Sequence, residues 1–64
     1  MDALLYKPEA AAELLGIGRT KIWHLIDTGE IESVRIGRSR RIPRAALEAY
    51  VARLRDAVDS SRAS

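Results

Sequence analysis

The triplet Gly16-Ile17-Gly18 constrains this chain more than any other feature, because it interrupts a helical pattern and leaves room only for a turn between the halves. Before it, Ala10, Ala11, Leu14 and Leu15 recur at i, i+1, i+4 and i+5, an apolar stripe of helical period that leaves Glu9, Ala12 and Glu13 for water. Gly16, just past the last apolar residue, suits the left-handed conformation that closes a helix, and Ile17 supplies the apolar contact behind it. Pro8 marks the start of this helix, since proline in the first turn loses no hydrogen bond. Lys7 is a poor cap, so this end is expected to be solvated or to fray. After the triplet, Gly18 stands as an N-cap without a side-chain acceptor, and Ile22, Leu25 and Ile26 share one face of a second helix. Thr20, His24 and Asp27 lie opposite, with Lys21 and Trp23 on the flanks. Two helices joined by a short glycine-containing turn form a helix-turn-helix, the motif whose second helix enters the DNA major groove. Arg19, Thr20 and Lys21 in the first turn, with His24, are then the groups that face DNA. Trp23, the single tryptophan, either covers the core or lies along a phosphate or the groove wall.

Asp27-Thr28-Gly29-Glu30 closes the second helix. Ile31 to Arg35 and Arg40 to Pro43 then read as two short strands around Gly37-Arg38-Ser39, a hairpin or wing with an arginine-rich tip. A two-stranded hairpin alone is marginal in water, so Val34, Ile36 and Ile42 are expected on one inner face packed against the helices. Pro43 starts a third helix in which Ala46, Leu47, Tyr50, Val51 and Leu54 repeat at helical spacing, ending near Leu54 or Arg55. Residues 1–6 form a short extended lead-in whose Leu4, Leu5 and Tyr6 anchor the first helix. Residues 1–55 make one domain, and 56–64, DAVDSSRAS, are expected to be a polar, disordered tail without a function of their own. The fold class is therefore mainly α with a small β-hairpin: a two-helix motif, a wing and a closing helix.

Charge is concentrated where the wing falls. Arg35, Arg38, Arg40, Arg41 and Arg44 are five cations in ten residues without an acid, while the remaining six cations face nine acids, a balance of −3. Such a local patch on a mildly acidic body is the footprint of phosphate contact when it sits beside a helix-turn-helix. The other classes fare worse. Sixty-four residues bury only about 60% of their unfolded surface and leave no spare core for a catalytic cleft. There is no paired-carboxylate, nucleophile-base or phosphate-loop arrangement, so no catalytic residues, cofactor site or enzymatic activity are expected. Zero cysteines and one histidine give neither a disulfide framework nor a metal site and are compatible with the reducing cytoplasm. No apolar run approaches the roughly 20 residues of a membrane span, and the N-terminus is not signal-like.

Taken in order, the segments EAAAELLG, GIGRTKIWHLIDTGEI, VRIGR and RIPRAALEAY resemble the excisionase-type helix-turn-helix family, small winged-helix proteins related to the DNA-binding domain of MerR regulators, over about residues 4 to 54. The resemblance implies sequence-specific binding of double-stranded DNA, with the second helix in the major groove and the wing in an adjacent minor groove. Carried over by position, it puts Arg19, Thr20, Lys21, Trp23 and His24 on the recognition helix and Arg35, Arg38, Ser39, Arg40 and Arg41 on the wing. Three residues depart from the family pattern: Gly18 replaces a serine cap, His24 a frequent arginine, and Arg40 a common aromatic.

Members serve as phage recombination directionality factors or as small transcriptional regulators. The expected function is that of an excisionase, assembling on attachment-site DNA in a bacterial cell or phage-infected host and bending it to direct an integrase. A MerR-like transcriptional regulator is the alternative within the DNA-binding class. A protein interaction module, gripping an acidic partner with the same helix and wing, is the alternative outside it. Because a core this small should need the whole apolar stripe of the third helix, the chain is expected to be a monomer in solution that fills neighbouring DNA sites cooperatively. The wing of one copy would then meet Glu30, Glu32 or Glu48 of the next.

Overall fold

The first helix closes where the sequence places its end. In the computed structural model, which describes residues 3–63, α1 spans Pro8–Leu15 and Gly16 follows with φ 71° and ψ 30°. The Gly16 N–H donates to the Glu13 carbonyl at 3.1 Å and the Ile17 N–H to the Ala12 carbonyl at 3.0 Å, the paired bonds of a glycine-terminated helix. Ile17 turns inward and packs against the core. α2 spans Arg19–Asp27 and starts from an extended Gly18; as expected, neither Lys7 nor Gly18 provides a side-chain cap.

The buried face of α1 keeps Ala11 and Leu15 of the expected stripe but exchanges Leu14 for Ala12. Ala12 is buried at 4% exposure, whereas Leu14 is 62% exposed. The methyl side chains of Ala11 and Ala12 allow α2 to approach α1 closely, and its Ile22, Leu25 and Ile26 complete the contact. Leu14, away from that line, is left outside. Beyond α2, the Ile31 N–H reaches back to the Leu25 carbonyl at 3.2 Å and carries the Ile31 side chain into the core, so Ile31 is a core residue rather than part of a strand.

The wing is β2 (Val34–Ile36) and β3 (Ser39–Pro43), joined by Gly37-Arg38. Gly37 has φ 60° and no other residue type takes a positive φ among the described residues, which identifies a two-residue type II′ turn. That turn sets the pairs Val34 with Arg41, Arg35 with Arg40 and Ile36 with Ser39. Directly paired residues share a face and successive residues alternate, so Ile42 lies on the face opposite Val34 and Ile36. The expected common inner face is therefore corrected: Ile42 is fully buried, Ile36 is 57% exposed, and Val34 stays outside the core cluster. A third strand, β1 (Leu5–Tyr6), supplies what Val34 and Ile36 do not. It pairs with β3 on the other edge, Leu5 with Pro43 and Tyr6 with Ile42, giving a three-stranded antiparallel sheet of order β1-β3-β2. Of the extended lead-in only Leu5 and Tyr6 form a strand, and the expected anchoring is corrected: Tyr6 packs against the core, while Leu4 and Leu5 are exposed; the first two residues of the chain lie outside the described residues.

α3 spans Arg44–Ala63. It does not stop at Leu54 or Arg55: residues 56–63, expected as a disordered tail, continue the helix, and Ser64 lies outside the described residues. Nothing in DAVDSSRA breaks a helix, since it has neither glycine nor proline, and Val58 prolongs the spacing of Leu47, Val51 and Leu54. Only the first turns serve the core, through Ala46, Leu47 and half-buried Tyr50. Every residue from Val51 to Asp59 is exposed, with Val51 at 39% and Leu54 at 49%, so the core does not consume the stripe and the premise of the monomer expectation falls. Among the described residues no helix is long and apolar enough to cross a membrane.

The register yields a stability prediction. Ile42→Ala should cost about 2–5 kcal/mol in urea unfolding, while Ile36→Ala should stay within about 0.5 kcal/mol. Gly16→Ala, at an open site whose only penalty is its left-handed backbone, should cost about 1 kcal/mol.

Candidate nucleic-acid interface

α2 divides into the face its core requires and the face left over. Ile22, Leu25 and Ile26 are buried in the core they share with Ala11 and Ala12 of α1 and Ile42 of β3, which turns Arg19, Thr20, Lys21 and His24 outward, all exposed. Trp23 lies between: it is half-buried, packs against the core and keeps part of the indole at the surface. Of these residues Arg19 alone has an ionic partner among the described residues, Glu9 of α1, at 3.5 Å. Both side chains are at least half exposed, so this pair is worth little and either group is readily recruited elsewhere.

The wing concentrates cations without neutralising them. Arg35 and Arg38 are exposed, and Arg40 and Arg41 are half-buried beside Ser39. The Arg40 guanidinium donates to the Ser33 hydroxyl at 3.3 Å, and that of Arg41 to the Arg40 carbonyl at 2.9 Å. These partners are neutral oxygens, which orient a guanidinium while leaving its charge in place. Among the described residues none of Arg35, Arg38, Arg40 and Arg41 has a carboxylate partner. Arg35 and Arg40 moreover stand directly opposite each other on the strands, a like-charge pairing that destabilises a hairpin. The fifth arginine differs: Arg44 Nε is 2.9 Å from Glu48 Oε1 in the first turn of α3.

The residues predicted from sequence therefore form two groups, one on α2 and one on the wing, tied to one body because Ile22, Leu25 and Ile26 share a core with Ile42. Two positioning contacts escaped the sequence. Ser33 orients Arg40, and Glu9 meets Arg19 in a weak exposed pair; the first depends on hairpin register and the second on how α1 crosses α2, neither of which is a sequence-local signal.

The chain matches the model of the helix-turn-helix domain family over residues 5–55, most of its length. It belongs to the helix-turn-helix domain family. Its similarity to a probable excisionase of Saccharopolyspora erythraea is 61% identity over 53 residues, covering 83% of this chain and 54% of that protein. This helix-turn-helix chain thus spans about half the length of the curated relative it matches. No solved structure matches it. The three helices and antiparallel sheet are those of the small winged helix-turn-helix expected from the sequence.

The weak Arg19 to Glu9 pair sets a check on this surface. Glu9→Gln should leave stability within about 0.5 kcal/mol in denaturant titration at low salt. A loss of several kcal/mol would mean that the pair holds α2 in place.

Proposed function

We propose that the protein binds duplex DNA sequence-specifically and acts as an excisionase, with α2 in the major groove and the wing on the flanking phosphates and minor groove. The observation that carries this reading is the wing's unneutralised charge, above all the Arg35 and Arg40 pair held opposite each other at a cost to the hairpin. A phosphate backbone offsets that cost, because each contact releases condensed counterions. α2 supplies the complementary element, an exposed face of Arg19, Thr20, Lys21 and His24 on a helix whose other face is fixed in the core. Arg38, Ser39, Arg40 and Arg41 contribute affinity, and the α2 residues contribute discrimination. The identity to a protein named a probable excisionase favours assembly on attachment-site DNA that bends it and directs an integrase in the cytoplasm. A regulator would use the same surface. Footprinting on the DNA around the gene separates them: an array of sites in an attachment region means excision, and a promoter site means regulation.

Two outcomes follow for the interface. With about four to six phosphates neutralised, log K should fall with log salt at a slope of roughly −4 to −5, and alanine at Arg38 and Arg41 should weaken specific and random duplex alike while flattening that slope. Alanine at Arg19 or Lys21 should instead cost about 1–3 kcal/mol on the specific site only, read as a narrowed gap in competition gel shifts. A salt-independent affinity, or an unchanged specificity ratio, would refute the respective assignment.

A further inference from the structure

We infer that α3 carries a self-association surface that pairs two copies of this chain in antiparallel fashion. Leu47, Val51, Leu54 and Val58 follow one another at spacings of four, three and four, the spacing of a seam between two helices. The body of the domain uses only the first of them: Leu47 is 7% exposed, whereas Val51, Leu54 and Val58 are 39%, 49% and 52% exposed. The last turns of α3 thus hold an apolar face that nothing among the described residues covers. An unpacked helix of that length is marginal in water, so a packing partner adds what the chain itself does not provide. The face runs on into a groove of about 370 Å³ lined by Tyr6, Leu14, Leu15, Leu47 and Val51. Exposed Leu14, unexplained by the core, forms one wall.

Charge identifies the occupant and its direction. Glu48 and Arg55 rim the groove seven residues apart, on the same side of the seam. In an antiparallel pair centred between Val51 and Leu54, Val51 of each copy meets Leu54 of the other, and Val58 enters the groove beside Leu47 and Leu14. The same register sets Glu48 of each copy beside Arg55 of the other, twice by symmetry. A parallel pair would set Arg55 against Tyr50, with no opposite charge to meet. The surface is therefore complementary to itself, as a two-fold interface requires. The existing contact from Arg44 to Glu48 is exposed and competes weakly. The stretch of helix from Leu47 to Val58 gives a seam only about 18 Å long, below a standard interface, so the association is reversible and concentration-dependent. It does not depend on what α2 reads.

Sedimentation equilibrium of the free protein from about 10 µM to 1 mM should show the mass rising from monomer toward dimer. Glu48→Arg alone and Arg55→Glu alone, both at exposed positions, should each weaken association about tenfold or more, because each sets like charges together twice. An equimolar mixture of the two variants should restore it. In the mixed pair the cation introduced at position 48 of one copy meets the carboxylate introduced at position 55 of the other, and the far side of the seam keeps its native Glu48 and Arg55. Leu54→Asp should abolish association in every background. A wild-type protein that stays monomeric throughout, assemblies larger than a dimer, or a mixture that associates no better than either variant alone would overturn the inference.

Discussion

Ile42 is the joint on which the arrangement depends. It lies at the centre of the sheet and is fully buried, it pairs with Tyr6 of β1, and it shares the core with Ile22, Leu25 and Ile26 of α2. No other residue of β2 or β3 enters that core. So short a wing has too little apolar area to hold itself, and its position relative to the helices is set by this one side chain and by the backbone bonds to β1. Each of the large buried side chains contributes roughly 1.5–3 kcal/mol, which in a domain of this size is a large share of net stability.

With the core concentrated at that joint, most of the surface is free to carry charge. The same alternation that turns Ile42 inward puts Arg40 on its face of the sheet, and the type II′ turn then fixes Arg35 opposite. Electrostatic repulsion there is a stability cost that no carboxylate among the described residues relieves. Local oxygens orient the Arg40 and Arg41 guanidinium groups instead, which leaves their charge unneutralised. This combination of orientation without neutralisation underlies the proposed phosphate contact, and it contrasts with Arg44, which meets Glu48 within α3.

α3 divides its labour along its length. Its first turns close the core, and Arg53 donates to the Glu30 carbonyl while its guanidinium lies 5.9 Å from the Tyr50 ring centroid, tying the helix to the loop after α2. The turns beyond project outward and give the molecule its long dimension of 45 Å against 27 and 18 Å for the others. An apolar stripe on a projecting helix has different meaning from the same stripe on a packed one, and only the exposure of Val51, Leu54 and Val58 distinguishes the two.

The local elements were legible in the residues alone. Gly16 closes α1 because its backbone needs a left-handed residue there, Pro8 starts it because the first turn has no use for that N–H, and the arginines of the wing stand out as a run of charge without acids. The three-residue and four-residue spacing of Ile22, Leu25 and Ile26 named the buried face of α2 and so its exposed residues. Packing in three dimensions resolved what periodicity leaves degenerate. Whether Ala12 or Leu14 faces the core depends on which side α2 crosses, and a methyl group wins where two helices come close. Whether Val34 or Ile42 points inward depends on a turn of two residues rather than three, since a shift of one position exchanges the faces of a strand. The short strand Leu5–Tyr6 has no pattern of its own and exists because β3 offers it an edge. How far α3 extends past its packing, and hence what its outer face can meet, follows from where the body of the domain ends in space.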